Sequence, residues 1–151
     1  MQSHLNRGLG IFPLPVGEDL PVRMARQILG HHKIIGCSAH SLGQALQAAG
    51  DGADYVSCGP LFATPTKPDY QPVGLELLKQ YVSFVRVPFV AIGGIDGENV
   101  ASVVRAGADR VATVRAVCGA DNIEKAAREM KEKILTARRQ RIEKAATVGS
   151  R

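Results

Sequence analysis

The sequence predicts an α/β protein with a parallel sheet covered by helices, and three observations carry that expectation. Short apolar runs that read as buried strands alternate with amphipathic runs at helical spacing. The strand runs are apolar almost throughout rather than alternating, as in sheets packed on both faces. Gly52-Ala53-Asp54-Tyr55-Val56 recurs as Gly107-Ala108-Asp109-Arg110-Val111, two strand–helix units further on, which fits a wound array of similar units.

The elements follow in order. Residues 1–16 form an irregular N-terminal segment broken by Gly8, Gly10, Pro13 and Pro15, with a short strand expected within residues 11–16. Asp19 precedes Leu20-Pro21, and proline suits a helix's first turn. Val22, Ala25, Ile28 and Leu29 continue that helix until Gly30. Residues 33–38 read as a strand with a polar end. Ser41 and Gln44 form a capping box, opening a helix with Leu42, Ala45, Leu46 and Ala49 on one face. Residues 54–59 are the next strand, and Leu75, Leu78, Val82 and Val85 mark the helix after it. A strand over 88–93 leads to a helix capped by Asp96, bearing Val100, Val103 and Val104 and closed by Gly107. Residues 110–117 read as the last strand. Asp121 and Glu124 start a long helix with Ile123, Ala126, Ala127, Met130 and Ile134 facing inward.

A chain of 151 residues is one domain by length, large enough for a core. Its 45% hydrophobic and 22% charged residues are ordinary for a globular protein. No apolar run reaches the roughly 18 residues that span a bilayer, and residues 1–10 lack the apolar core of a secretory signal. Cys37, Cys58 and Cys118 are too few and too scattered for a disulfide framework or a zinc site. Free thiols inside strands point to a reducing, cytoplasmic setting. Much of the net charge of +5 lies in the last quarter of the chain, where residues 136–151 form a basic extension. That run lacks the interleaved aromatics of a base-stacking platform, which argues against nucleic acid and for a solvated helix face.

Polar and glycine residues gather at the carboxyl end of every strand: Ser38 and His40, then Thr64 to Lys67, then Gly93-Gly94, then Arg115 and Cys118-Gly119. Ligands bind at that end in parallel barrels and in open doubly wound sheets alike. Between a strand and a helix, Gly59-Pro60-Leu61-Phe62-Ala63-Thr64-Pro65-Thr66-Lys67 supplies two hydroxyls and an ammonium within four residues, a donor set for an anionic phosphorylated ligand. Gly93-Gly94 after the next strand lets backbone N–H groups approach a phosphate. A (β/α)8 barrel needs about 200 residues at the short end. The four clear units here therefore read as the C-terminal part of one.

These stretches also resemble a known family. Gly36-Cys37-Ser38-Ala39-His40, the loop ending in Lys67, Ala91-Ile92-Gly93-Gly94-Ile95 and Gly107-Ala108-Asp109-Arg110-Val111 occur in an order that closely resembles the C-terminal two-thirds of thiamine-phosphate synthase, over about residues 17–135. The resemblance implies a TIM barrel and a magnesium-dependent transferase that joins a hydroxymethylpyrimidine diphosphate to a thiazole phosphate, releasing diphosphate. It assigns Ser38 and Lys67 to the pyrimidine diphosphate, and Thr64, Pro65, Thr66, Gly93 and Gly94 to the thiazole phosphate. Val114 and Arg115 would line the same site, although many relatives carry serine at the latter position, and Asp19 would match a magnesium ligand. His40 reads as a structural residue, because cleavage of a carbon–oxygen bond to diphosphate needs charge stabilisation rather than a side-chain nucleophile. The family's N-terminal diphosphate clamp, Gln-x-Arg-x-Lys, has no counterpart here. The expectation is a chain inactive alone, with sheet edges covered by a second copy or by a complementing N-terminal half-barrel chain. The rival reading is a non-catalytic thiazole-phosphate-binding module or a thiazole tautomerase-like protein.

Overall fold

The short apolar runs expected as strands pair side by side. The computed structural model describes residues 12–15, 20–65 and 69–149. Its five strands are β1 (Phe12–Pro15), β2 (Ile35–Ser38), β3 (Tyr55–Cys58), β4 (Phe89–Ile92) and β5 (Val111–Ala112). All neighbours are parallel, in the order β1-β2-β3-β4-β5. The helices are α1 (Val22–Leu29), α2 (Leu42–Gly50), α3 (Gly74–Phe84), α4 (Val100–Arg105), α5 (Arg115–Cys118) and α6 (Ile123–Gly149). A doubly wound sheet reverses its strand order at a switch point. Among the described residues this order does not reverse.

The register sorts the side chains into two faces. Cys37 pairs with Val56, Val56 with Phe89, and Cys58 with Ala91. Cys37, Val56, Cys58 and Ala91 are buried together with Leu78 and Tyr81 of α3 and with Val100, Val103 and Val104 of α4. The other face presents Ser38, Tyr55, Ser57, Val90 and Ile92, which are only half-buried, and Gly36, whose missing side chain makes room for the Tyr55 ring. Burial therefore alternates along β3, where apolar composition alone predicted cover on both sides.

Several helix faces differ in phase from the sequence expectation. Ile28, Leu46, Val82 and Ile123 point outward, whereas Ala48 and Tyr81 point in. Tyr81 lies edge-on to Phe89, and its hydroxyl reaches the carbonyls of Ser41 and Ser57. The run over 110–117 divides into the two-residue β5 and the short helix α5, so Val114 and Arg115 begin a helix rather than end a strand. Short apolar runs suit either state, and β5 pairs only with Ala91 and Ile92. The inward stripe of α6 is Ala126, Met130, Ile134, Ala137 and Arg141, so the helix stays packed on the domain beyond residue 135.

The Gly-Ala-Asp echo has a structural cause. Asp54 accepts from the Ile35 N–H at 2.6 Å and from Arg26 of α1 at 2.5 Å, while Arg26 also donates to Gly52 O. Asp109 pairs with Arg141 of α6, which also donates to Val104 O and Ala108 O. In each copy an arginine from a helix ties down the turn leading into a strand.

Candidate functional site

Gly59, Gly93 and Gly94 bring the loops after β3 and β4 into backbone contact. Gly93 has φ +97°, and a Cβ there would lie 2.4 Å from Pro60 Cα. Gly94 has φ +64°, and its Cβ would lie 2.7 Å from Ala63 O. A Cβ on Gly59 would lie 2.2 Å from Ile92 O. The Leu61 N–H donates to Ile92 O and the Phe62 N–H to Gly93 O, each at 3.0 Å. Composition suggested that Gly93-Gly94 leaves room for an anion. The structure gives the pair a prior task, seating the β4 turn beside Thr64, whose neighbour Ala63 it touches. The Gly94 N–H makes no hydrogen bond to a described residue, and Asn99 Nδ2 holds the Gly94 carbonyl at 2.9 Å. Asn99, not the Asp96 expected from the sequence, is the N-cap of α4, and Asp96 caps the turn before it by accepting from the Glu98 and Asn99 N–H groups.

At the end of β2, Ser38 is half-buried on the same sheet face as Ser57, whose hydroxyl accepts from the Ala39 N–H. Ser41 Oγ accepts from the Gln44 N–H as the capping box requires, but the Gln44 side chain reaches back to the His40 N–H instead of Ser41. His40 Nδ1 lies 2.5 Å from Gly59 O. A carbonyl only accepts, so Nδ1 carries the proton. Val114 and Arg115 are both exposed at the start of α5. Thr64 is half-buried and Pro65 exposed. Asp19, Thr66 and Lys67 lie outside the described residues.

Burial pushes the Cys58 thiol up to about 12 and also raises Cys37, so neither is a nucleophile near neutral pH. Among the described residues, no group of three or more His, Cys, Asp or Glu side chains is arranged to hold a metal ion. What this end of the sheet offers is hydroxyls and a backbone N–H with no partner among the described residues, set around a rigid glycine turn, a donor set of the kind an anion requires. No helix among the described residues is long and apolar enough to cross a membrane.

Fold and loop contacts together define a parallel α/β protein whose polar and glycine residues meet at the carboxyl end of the sheet. Residues 14–117 match the family model described as thiamine monophosphate synthase. The chain belongs to that family. It is 51% identical over 115 residues to a protein of Chloroflexus aurantiacus named thiamine-phosphate synthase, covering 76% of this chain and 53% of the relative. A relative of the same name from Moorella thermoacetica is 47% identical over 122 residues, covering 80% and 58%. The solved thiamine phosphate pyrophosphorylase of Pyrococcus furiosus superposes with a TM-score of 0.75 at 38% identity, over 83% of this chain and 59% of that one. A 3-hexulose-6-phosphate synthase structure, 23% identical with a TM-score of 0.63, shares the fold. The chain thus spans a little over half the length of the curated relatives it matches.

Proposed function

We propose that this chain carries the thiazole-phosphate side of a thiamine-phosphate synthase active site. The observation that carries the reading is the Gly93-Gly94 turn, held against the Thr64 loop with the Gly94 N–H free of any described partner. The names and identities of the curated relatives support it. In this reading the Gly94 N–H and the hydroxyls of Thr64 and Thr66 receive the thiazole phosphate, Pro65 stiffens the loop, and Val114 and Arg115 line the site. Ser38 and Lys67 serve the pyrimidine diphosphate. As the carbon–oxygen bond breaks, its electron pair leaves with diphosphate, the Lys67 ammonium offsets the growing charge, and the thiazole nitrogen attacks the pyrimidine methylene carbon. Asp19 is the residue that would hold magnesium, which would supply charge stabilisation for the leaving diphosphate.

The sheet is read as an arc of a (β/α)8 barrel. Its unreversed strand order and its half-buried second face, which would line a barrel interior, support this. Strands of a second copy or of a complementing chain would cover the outer edges of β1 and β5. The buried thiols of Cys37 and Cys58 support a reducing, cytoplasmic setting.

Calorimetric titration with the thiazole phosphate tests the reading, followed by assay of thiamine phosphate formation with the pyrimidine diphosphate and magnesium. Saturable binding is expected, weakened about tenfold by Thr64→Val, the effect of one lost hydrogen bond to a charged group. A folded chain that ignores the thiazole phosphate at millimolar concentration would sink the reading.

A further inference from the structure

The proposed chemistry leaves two touching side chains unused. His40 is fixed twice to the framework, through its N–H to Gln44 Oε1 at 2.8 Å and through Nδ1–H to Gly59 O. Its ring then faces Tyr70, with centroids 4.6 Å apart and planes tilted by 44°. Tyr70 lies on the return limb of the loop between β3 and α3. That limb rejoins the outgoing limb through the Val73 N–H to Pro60 O and the Gly74 N–H to Leu61 O. Tyr70 remains 41% exposed, so this contact adds little to the core. Its mechanical effect is on the loop, because it joins the return limb to a side chain anchored in the neighbouring strand–helix unit.

We infer that His40 is a positioning residue for the substrate loop, holding its return limb in place through the Tyr70 ring. The ring and the Nδ1–H have separable parts. The Nδ1–H orients the imidazole from Gly59 O, and the ring face supports Tyr70. The assignment of ligand to this loop rests on the function proposed above, whereas the contact does not.

His40→Gln removes the ring while keeping a donor for Gly59 O, and His40→Phe keeps a ring while losing the donor. Chymotrypsin cleavage after Tyr70 reports on the limb, with cleavage after the exposed Phe84 as internal control. His40→Gln should speed cleavage after Tyr70 about three- to tenfold, the scale of one aromatic contact, while cleavage after Phe84 and the thermal midpoint stay unchanged. His40→Phe should restore most of the protection. Affinity for the thiazole phosphate should fall with His40→Gln and recover with His40→Phe, a pattern that general damage to the fold would not produce. Should His40→Gln not fold, Tyr70→Leu should accelerate hydrogen exchange at the Val73 and Gly74 amides. Equal cleavage after Tyr70 in wild type and His40→Gln, or unchanged exchange in Tyr70→Leu, overturns the inference. If wild type does not bind the thiazole phosphate, the proposed function fails, and the cleavage comparison still decides the role of His40.

Discussion

Replacing Gly93 with alanine should unseat the β3 loop. The backbone there has φ +97°, and the new Cβ would stand 2.4 Å from Pro60 Cα and 3.2 Å from Leu61 N. The φ alone costs an alanine roughly 1–2 kcal/mol. The overlap is with backbone rather than the end of a flexible side chain, so the loop must move. Moving it strains the bonds from Leu61 N–H to Ile92 O and from Phe62 N–H to Gly93 O, about 1 kcal/mol each. The sum is about 3–4 kcal/mol, which for a domain of this size lowers the thermal midpoint by about 6–15 °C. Gly43→Ala is the matched control. Its Cβ meets nothing within 4 Å, and its place in the first turn of α2 predicts a gain of about 0.5 kcal/mol or less. Calorimetric melting with urea titration measures both. A Gly93→Ala protein melting within about 2 °C of wild type would refute the close loop contact, since that shift corresponds to less than the φ cost alone.

Four further outcomes follow from features away from the loop. Arg26→Ala removes bonds to Gly30 O, Lys33 O, Gly52 O and Asp54, and should cost about 2 kcal/mol in urea unfolding; a loss under about 0.5 kcal/mol would mean those bonds do not hold the turn. Burial acts to raise the Asp54 carboxyl, but the Ile35 N–H and Arg26 outweigh it, so its folded pKa is lowered. Its contribution is therefore full above the unfolded value near 4 and lost as pH falls through the folded one, so Asp54→Asn should flatten the acid limb of a stability-against-pH series; an unaltered slope would contradict this. Tyr81→Phe, which loses the hydroxyl bonds to Ser41 O and Ser57 O, should cost about 1 kcal/mol, checked by thermal melting. With a thiol reagent at pH 8, exposed Cys118 should react first, while Cys37 and Cys58 wait for unfolding; prompt labelling of Cys58 would show that its burial, and the pKa of about 12 that follows, are wrong.

Features written in neighbouring residues were legible in the sequence, and features that depend on distant residues were not. The Ser41–Gln44 capping pair spans four positions, and its Ser41 half forms as the spacing dictates, while the Gln44 side chain goes to the His40 N–H. Strands β2 to β4 follow from bounded apolar runs. The run over 110–117 did not reveal its own division, because β5 ends where its pairing with β4 ends. Helix phase failed at Leu46 and Val82 for a related reason. Apolar residues three and four apart fix a stripe only to within one residue, and Tyr81 displaced Val82 because an aromatic of that length fills the space over Phe89. The same division holds at the site. The clustering of Ser38, Thr64 and Gly93-Gly94 at strand ends was visible, since parallel topology puts every such end together. The contacts of His40 with Gly59 and Tyr70 cross 19 and 30 positions, and no periodicity reports them.

The two ends of the sheet are held by different means. At the amino ends of β3 and β5, the repeated Gly-Ala-Asp triplets place a glycine at φ +98° or +118°, a buried alanine, and an aspartate bound to an arginine. Arg26 comes from α1 and Arg141 from α6, so each clamp ties a helix already packed on the core to the turn before a strand. The repeat is thereby explained without a ligand, and so is part of the basic character of the last helix: Lys133, Arg138 and Arg141 donate to carbonyls of the loops and turns around α4. At the carboxyl end of β4, positive-φ glycines recur at Gly93 and Gly94, and the turn after them is held by the Asp96 carboxylate, which accepts from the Glu98 and Asn99 N–H groups, rather than by an arginine–aspartate pair. At this end of the sheet the Asn99 amide holds the Gly94 carbonyl, and His40 Nδ1 holds the Gly59 carbonyl. Close glycine packing adds rigidity to the Gly93-Gly94 turn, which is what the proposed anion site would require of it.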